Sequence, residues 1–133
     1  MRFDLPPQLL SILFISLGAS TGACFRWWLG LRLNALWPTL PLGTFTANCV
    51  GGLLMGLAVA AFAWLPPIPL EWRLGLTTGF LGGLTTFSTF SAEAIGLLQA
   101  GHYPALLLHV ASHVLASLTL TWCGLKLGQW LWA

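Results

Sequence analysis

Gly79-Phe80-Leu81-Gly82-Gly83-Leu84-Thr85-Thr86-Phe87-Ser88-Thr89-Phe90-Ser91 lies between long apolar runs and differs from both in composition. It holds three glycines, five hydroxyl residues and three phenylalanines, with no charge. A glycine inside a helix costs about 1 kcal/mol relative to alanine, and short hydroxyl side chains bond nearby backbone groups and so support a local break. The stretch reads as the middle of a membrane helix interrupted near Gly82 to Thr86. At membrane depth, non-helical backbone is tolerated only where protein or a polar cavity covers it. The break therefore marks a site, and the other segments form its walls.

Composition agrees with a membrane setting. Of 133 residues, 57% are hydrophobic and only 6% charged, whereas soluble domains carry about 25% charged residues. Five scattered basic residues and a net charge of +2 do not make a nucleic-acid surface. Seven of the eight tryptophans, from Trp27 to Trp132, fall near the ends of apolar runs, where the ring suits the membrane–water boundary. Trp122 lies deeper and reads as a packing residue. Cys24, Cys49 and Cys123 sit inside apolar runs without metal-type spacing, and read as small packing residues.

Four apolar runs, at about 8–29, 42–65, 71–99 and 105–127, each exceed the roughly 20 residues that cross a bilayer core. Pro6-Pro7 suits the first turn of the first run, and that run continues through Phe25-Arg26-Trp27-Trp28, which argues for a span over a cleaved leader. Pro66-Pro67-Ile68-Pro69 ends the second run. The expectation is an all-α, single-domain membrane protein with four transmembrane helices, the third broken near its middle. Arg2, Arg73 and Lys126 fall on one side and Arg26 and Arg32 on the other. So small a bias lets the chain insert both ways round, and two opposed copies would then resemble an inverted repeat.

Within the spans, glycines recur at four-residue spacing (Gly18/Gly22, Gly52/Gly56, Gly75/Gly79/Gly83, Gly124/Gly128), which lets helix backbones approach. Asn48, with Thr44 one turn before it, is either an interhelical hydrogen-bonding group or a donor facing a pore. Phe87 and Phe90 share one face after the break; they are core residues or present electropositive ring edges to an anion. His109, His113, Ser117 and Thr121 form a polar stripe, which reads as hydrogen-bonded more readily than metal-binding, with no acidic partner near it in sequence. Arg26 either braces a loop or gathers anions at a vestibule, and Glu93 is placed to bond a helix end, respond to pH or border the path. There is no nucleotide loop, no Ser/His/Asp set on exposed loops and no extramembrane domain, so the chain does not read as an enzyme.

These motifs resemble those of the Fluc (CrcB) family of microbial fluoride channels, over the whole chain. Gly22-Ala23-Cys24-Phe25-Arg26 is similar to its GAxxR motif, Gly43-Thr44 through Asn48 and Gly51 to GTxxxNxxG, and Gly79 to Phe90 to its third-helix signature. The resemblance implies antiparallel dual-topology homodimers in a microbial cell membrane, with two pores that export fluoride passively and relieve its toxicity. It implies that fluoride passes Phe87, Phe90 and Asn48, with Ser88 and Ser117 on the polar track. A structural sodium ion would sit at the dimer centre on the carbonyls of Gly82 and Thr85. Glu93 matches an acidic position after the Phe pair. His109 and His113 depart from the hydroxyl or aromatic residues expected there, and raise pH-dependent conduction, with His113 as a gating candidate. The competing readings are a proton-coupled multidrug antiporter, disfavoured because the first two runs hold no Asp or Glu, and a non-conducting scaffold, which would not need the ordered polar positions.

Overall fold

A computed structural model describes residues 6–133, and Arg2 lies outside that range. Every element among the described residues is helical. Helix α1 (Pro7–Leu33) opens on Pro6-Pro7 and runs past the expected end at Leu29 into a 3-10 turn, Asn34–Leu36. Helix α2 (Leu42–Trp64) starts after Pro41 and stops before the proline connector. Asn34 ties the first connector shut, because its Oδ1 accepts a 2.8 Å bond from the Gly43 backbone N–H at the start of α2.

The third crossing is compound. It comprises α3 (Leu70–Leu74), a π-helical stretch Gly75–Leu81, and a short α4 (Gly82–Leu84). Thr85 and Thr86 are extended, with ψ of 154° and 119°, and α5 (Phe87–Gln99) completes the crossing. The break thus falls on the two threonines, while Gly82 and Gly83 remain helical. The physical reason is packing: a side-chain carbon on Gly83 would strike the Ala19 carbonyl of α1, and one on Gly22 would strike the Phe80 carbonyl and the Leu84 amide. The glycines admit α1, and the hydroxyl residues make the break.

Gly101, at φ 71°, ends α5 in the left-handed region. Its N–H bonds the Leu98 carbonyl at 3.0 Å and the His102 N–H bonds Leu97 at 3.0 Å, the double closure typical of a glycine after a helix. Helix α6 (Tyr103–Trp132) then returns across the bundle.

Two helix pairs result. Helix α1 packs on the π stretch and α4, and α2 packs on α6. Both seams are lined by the four-spaced glycines. Helices α1, α2 and α6 are each long and apolar enough to cross a membrane; the broken stretch between α2 and α6 is built of shorter helical pieces. Trp122 is 60% exposed on the outside of α6 rather than packed; its ring carries Lys126 Nζ at 4.7 Å from the centroid. Cys24 and Cys123 also face outward, and Cys49 is half-buried. The small core of one chain, Leu29, Ala47, Leu81 and Leu84, lies directly behind the break.

Candidate functional site

The extended Thr85-Thr86 pair interrupts the helical ladder, and side chains take up two of the freed N–H groups. In an unbroken helix the Thr86 N–H would close on the Gly82 carbonyl. Here it donates to Asn48 Oδ1 at 2.8 Å, and Asn48 Nδ2 donates to the Thr86 carbonyl at 3.1 Å. Asn48 therefore pairs both backbone polar groups of Thr86, which makes it an interhelical hydrogen-bonding group. The Thr89 N–H, which would return to the Thr85 carbonyl, is capped by Thr86 Oγ1 at 3.1 Å, the usual role of a hydroxyl before a helix. The carbonyls of Gly82 and Thr85 are thereby released from the helical ladder. Between them, the Gly83 carbonyl accepts a 3.1 Å bond from Arg26 Nε.

Arg26 therefore reaches across from α1 and holds the break directly. A charged hydrogen bond of this kind is worth roughly 1.5–3 kcal/mol. Arg26→Gln is expected to lower the thermal midpoint of the purified protein in detergent by a corresponding amount; an unchanged midpoint would show that the contact holds nothing.

Because Thr86 fixes the Asn48 amide, the second Nδ2 hydrogen is directed at His113 Nδ1, 3.4 Å away. That assigns Nδ1 as acceptor and places the ring proton of His113 on Nε2. His113 Nε2 has no hydrogen-bond partner among the described residues, although His113 is only 5% exposed. Its ring lies 4.9 Å from that of Phe90 and 5.2 Å from that of Phe45. Phe90 is 8% exposed and stacks on His109 at 5.2 Å, whereas its neighbour Phe87, 5.3 Å away, is 78% exposed.

Two adjoining cavities meet at Asn48. One of about 250 Å³ lies among Asn48, Phe87, Phe90, His113 and Ser117. The other, about 340 Å³, is lined by Asn48, Thr85, Thr86, Ser117 and Thr121 with the open backbone of Gly51 and Gly52. No charged residue lines either cavity. Ser88 is exposed and outside both; its hydroxyl is 3.2 Å from that of Thr86. Ser112 bonds the His109 carbonyl of its own helix at 3.1 Å.

Thr44 and Glu93 lie toward the first-connector end. Thr44 Oγ1 donates to Glu93 Oε1 at 2.5 Å, and Glu93 Oε2 stands 3.5 Å from His109 Nε2. The histidines thus do have an acidic neighbour, delivered by α5 from outside their own stretch of sequence. Beyond Glu93 a cleft of about 360 Å³ opens between Pro38, Thr39, Pro41 and His102. Thr86 escaped the sequence reading as a site residue. The hydroxyl three residues before Thr89 was the available sign of a helix start.

Comparison with known proteins adds the family. The sequence profile of the CrcB-like protein, Camphor Resistance (CrcB) family matches residues 13–125. A protein of Chromobacterium violaceum is 54% identical over 121 residues, covering 91% of this chain and 96% of its own length. One of Tolumonas auensis is 56% identical over 118 residues, covering 89% and 93%. One of Chromohalobacter salexigens is 55% identical over 116 residues, covering 87% and 88%. All three are named fluoride-specific ion channel FluC, a name for ion channels and not for enzymes. With its several membrane-crossing helices and a match spanning nearly the whole bundle, the chain is a multi-pass membrane protein of the CrcB-like family.

Proposed function

We propose that the chain is a fluoride-selective channel that works as an antiparallel homodimer, with two pores that let cytoplasmic fluoride leave down its gradient and so relieve its toxicity. The observation that carries this reading is the cavity at Asn48. Its lining holds neutral groups: the Asn48 amide, whose second hydrogen is engaged only by the long 3.4 Å contact with His113, the His113 imidazole, the Ser117 hydroxyl and the rings of Phe87 and Phe90. Fluoride is small and strongly hydrated, so many donors must replace its water. Neutral donors and ring edges do this without the fixed positive charge that would trap the ion. A backbone-clamped amide and a buried ring keep their positions as the ion arrives, so little reorganisation opposes its dehydration.

The exposed ring of Phe87 and the open flank of the Asn48 cavities fit coverage by a second copy. Opposed copies would bring two breaks together. The carbonyls of Gly82 and Thr85, freed from the helical ladder by Asn48 and by the Thr86 cap, are hard neutral oxygens of the kind that replace a small cation's hydration shell. They fit a structural sodium ion at the centre of the pair. The antiporter reading gains nothing from the relatives' names.

Fluoride loss from liposomes holding the purified protein, followed with a fluoride electrode beside a chloride measurement, tests the function. Rapid fluoride loss with retained chloride is expected, and equal retention of both ions would refute it. In the same assay Phe90→Ile removes a ring that lines the cavity and stacks on His109. Efflux is expected to slow by about tenfold or more, as loss of roughly 1.5 kcal/mol of aromatic interaction along the path implies. Phe90→Ile with undiminished efflux would remove that ring from the path.

A further inference from the structure

We propose that Glu93, His109 and His113 form a site for a divalent transition ion of the zinc class, set directly beside the path between α5 and α6. Each residue offers a ligand atom, and these atoms all lie within 4.8 Å of one another. Glu93 Oε2 and His109 Nε2 are already 3.5 Å apart, close to the separation of about 3.4 Å between ligands on a tetrahedral zinc with bonds near 2.1 Å. The third ligand therefore needs a side-chain adjustment of an ångström or so, without backbone movement.

The unsatisfied atoms point the same way. Glu93 Oε2 and His113 Nε2 are buried and have no hydrogen-bond partner among the described residues. Around them the supports are in place. Thr44 fixes the other carboxylate oxygen at 2.5 Å, and Phe90 stacks on the His109 ring. Such second contacts orient the groups that hold a metal. Two imidazoles and one carboxylate favour zinc, copper or nickel over magnesium or calcium, which prefer oxygen alone. Three protein ligands leave a fourth position open.

Occupancy would change the path. To ligate through Nε2, both histidines must carry the ring proton on Nδ1: His109 gives up its 3.4 Å contact with the Phe90 carbonyl, and His113 its long 3.4 Å contact with Asn48. The same nitrogen cannot then donate to an anion. A divalent charge with an open position would also hold fluoride directly, and an ion held that strongly leaves slowly. The expected consequence is inhibition of efflux by Zn²⁺; this consequence rests on the channel reading, whereas metal binding does not.

Cobalt(II) absorption tests the binding alone. Titration of tag-free protein in detergent should give intense visible bands of a four-coordinate ion that saturate at one per chain and disappear on adding Zn²⁺. His109→Phe keeps the stack on Phe90 but removes a ligand, and Glu93→Gln removes another; both should abolish the bands. His102→Gln, at the exposed turn, should keep them. Weak bands in the unaltered protein, or strong bands surviving in His109→Phe and Glu93→Gln, would overturn the site. In liposomes Zn²⁺ should cut fluoride efflux by tenfold or more, EDTA should restore it, and His109→Phe should be insensitive. Strong cobalt bands without any fluoride efflux would sink the channel reading and leave the metal site standing. Efflux with no cobalt bands would do the reverse, and efflux unaffected by bound Zn²⁺ would overturn the blockade.

Discussion

Asn48→Ala is expected to abolish most fluoride efflux and to lower the stability of the bundle. Asn48 supplies the only side-chain bonds to the Thr86 N–H and carbonyl among the described residues. Without it, both groups are left unpaired at membrane depth, at about 1–3 kcal/mol each. The cheapest escape is for the Thr86 N–H to return to the Gly82 carbonyl, which rewinds the break and removes the released carbonyl. Even 2 kcal/mol against the broken form is a roughly thirtyfold loss of its population relative to the rewound form. Asn48→Asp separates the two roles. It keeps an acceptor for Thr86 N–H, so it should unfold at a higher temperature than Asn48→Ala, yet it faces an approaching anion with a carboxylate and should conduct no better. Near-normal efflux in Asn48→Ala would show that neither the clamp nor the amide serves the path.

Gly56→Val is the second large effect. A side-chain carbon at Gly56 would collide with the Thr121 carbonyl of α6 and reach the Leu125 amide at 2.7 Å. These are backbone atoms in the middle of a helix and cannot swing aside. Overpacking of a seam costs about 1–3 kcal/mol when side chains can yield, so the upper end or beyond applies here. We expect about 3 kcal/mol of destabilisation, seen as loss of the monodisperse peak after heating in detergent at temperatures the unaltered protein survives. Gly96→Ala is the matched control. Nothing lies within 4 Å of the added carbon, and alanine is the better helix former by about 1 kcal/mol, so the peak should survive equally or longer. Equal tolerance of both changes would mean that the α2–α6 seam is looser than the structure shows.

The bundle was legible in the sequence because spans, prolines and four-spaced glycines are local signals, each carrying its physical cause within a few residues. The broken stretch was legible for the same reason, though its division of labour was not. Gly82 and Gly83 advertise a weak helix, yet both stay helical, and α1 needs Gly83 without a side chain; only the partner helix decides that. The partners of Asn48 lie 38 residues away, and the contact of Arg26 with Gly83 spans 57; no period or spacing announces either. Glu93 illustrates the same limit. In sequence the two histidines of α6 have no acidic neighbour, but the break re-aims α5 so that its carboxylate falls beside His109. Trp122 failed for a different reason. Depth in a span says nothing about which side of the helix faces lipid.

The bond from the Gly43 N–H to Asn34 joins residues only nine apart. A ribosome releases residues in order, so this clasp can close while everything after the second helix is still being made. The first two helices can then enter the bilayer already joined at their connector, before the segments that pack on each of them have been made. The clamp on Thr86 and the Arg26 tie must wait for the third crossing to arrive. The nascent chain thus closes its first connector before its break emerges, and the seam of α2 closes only when α6 follows.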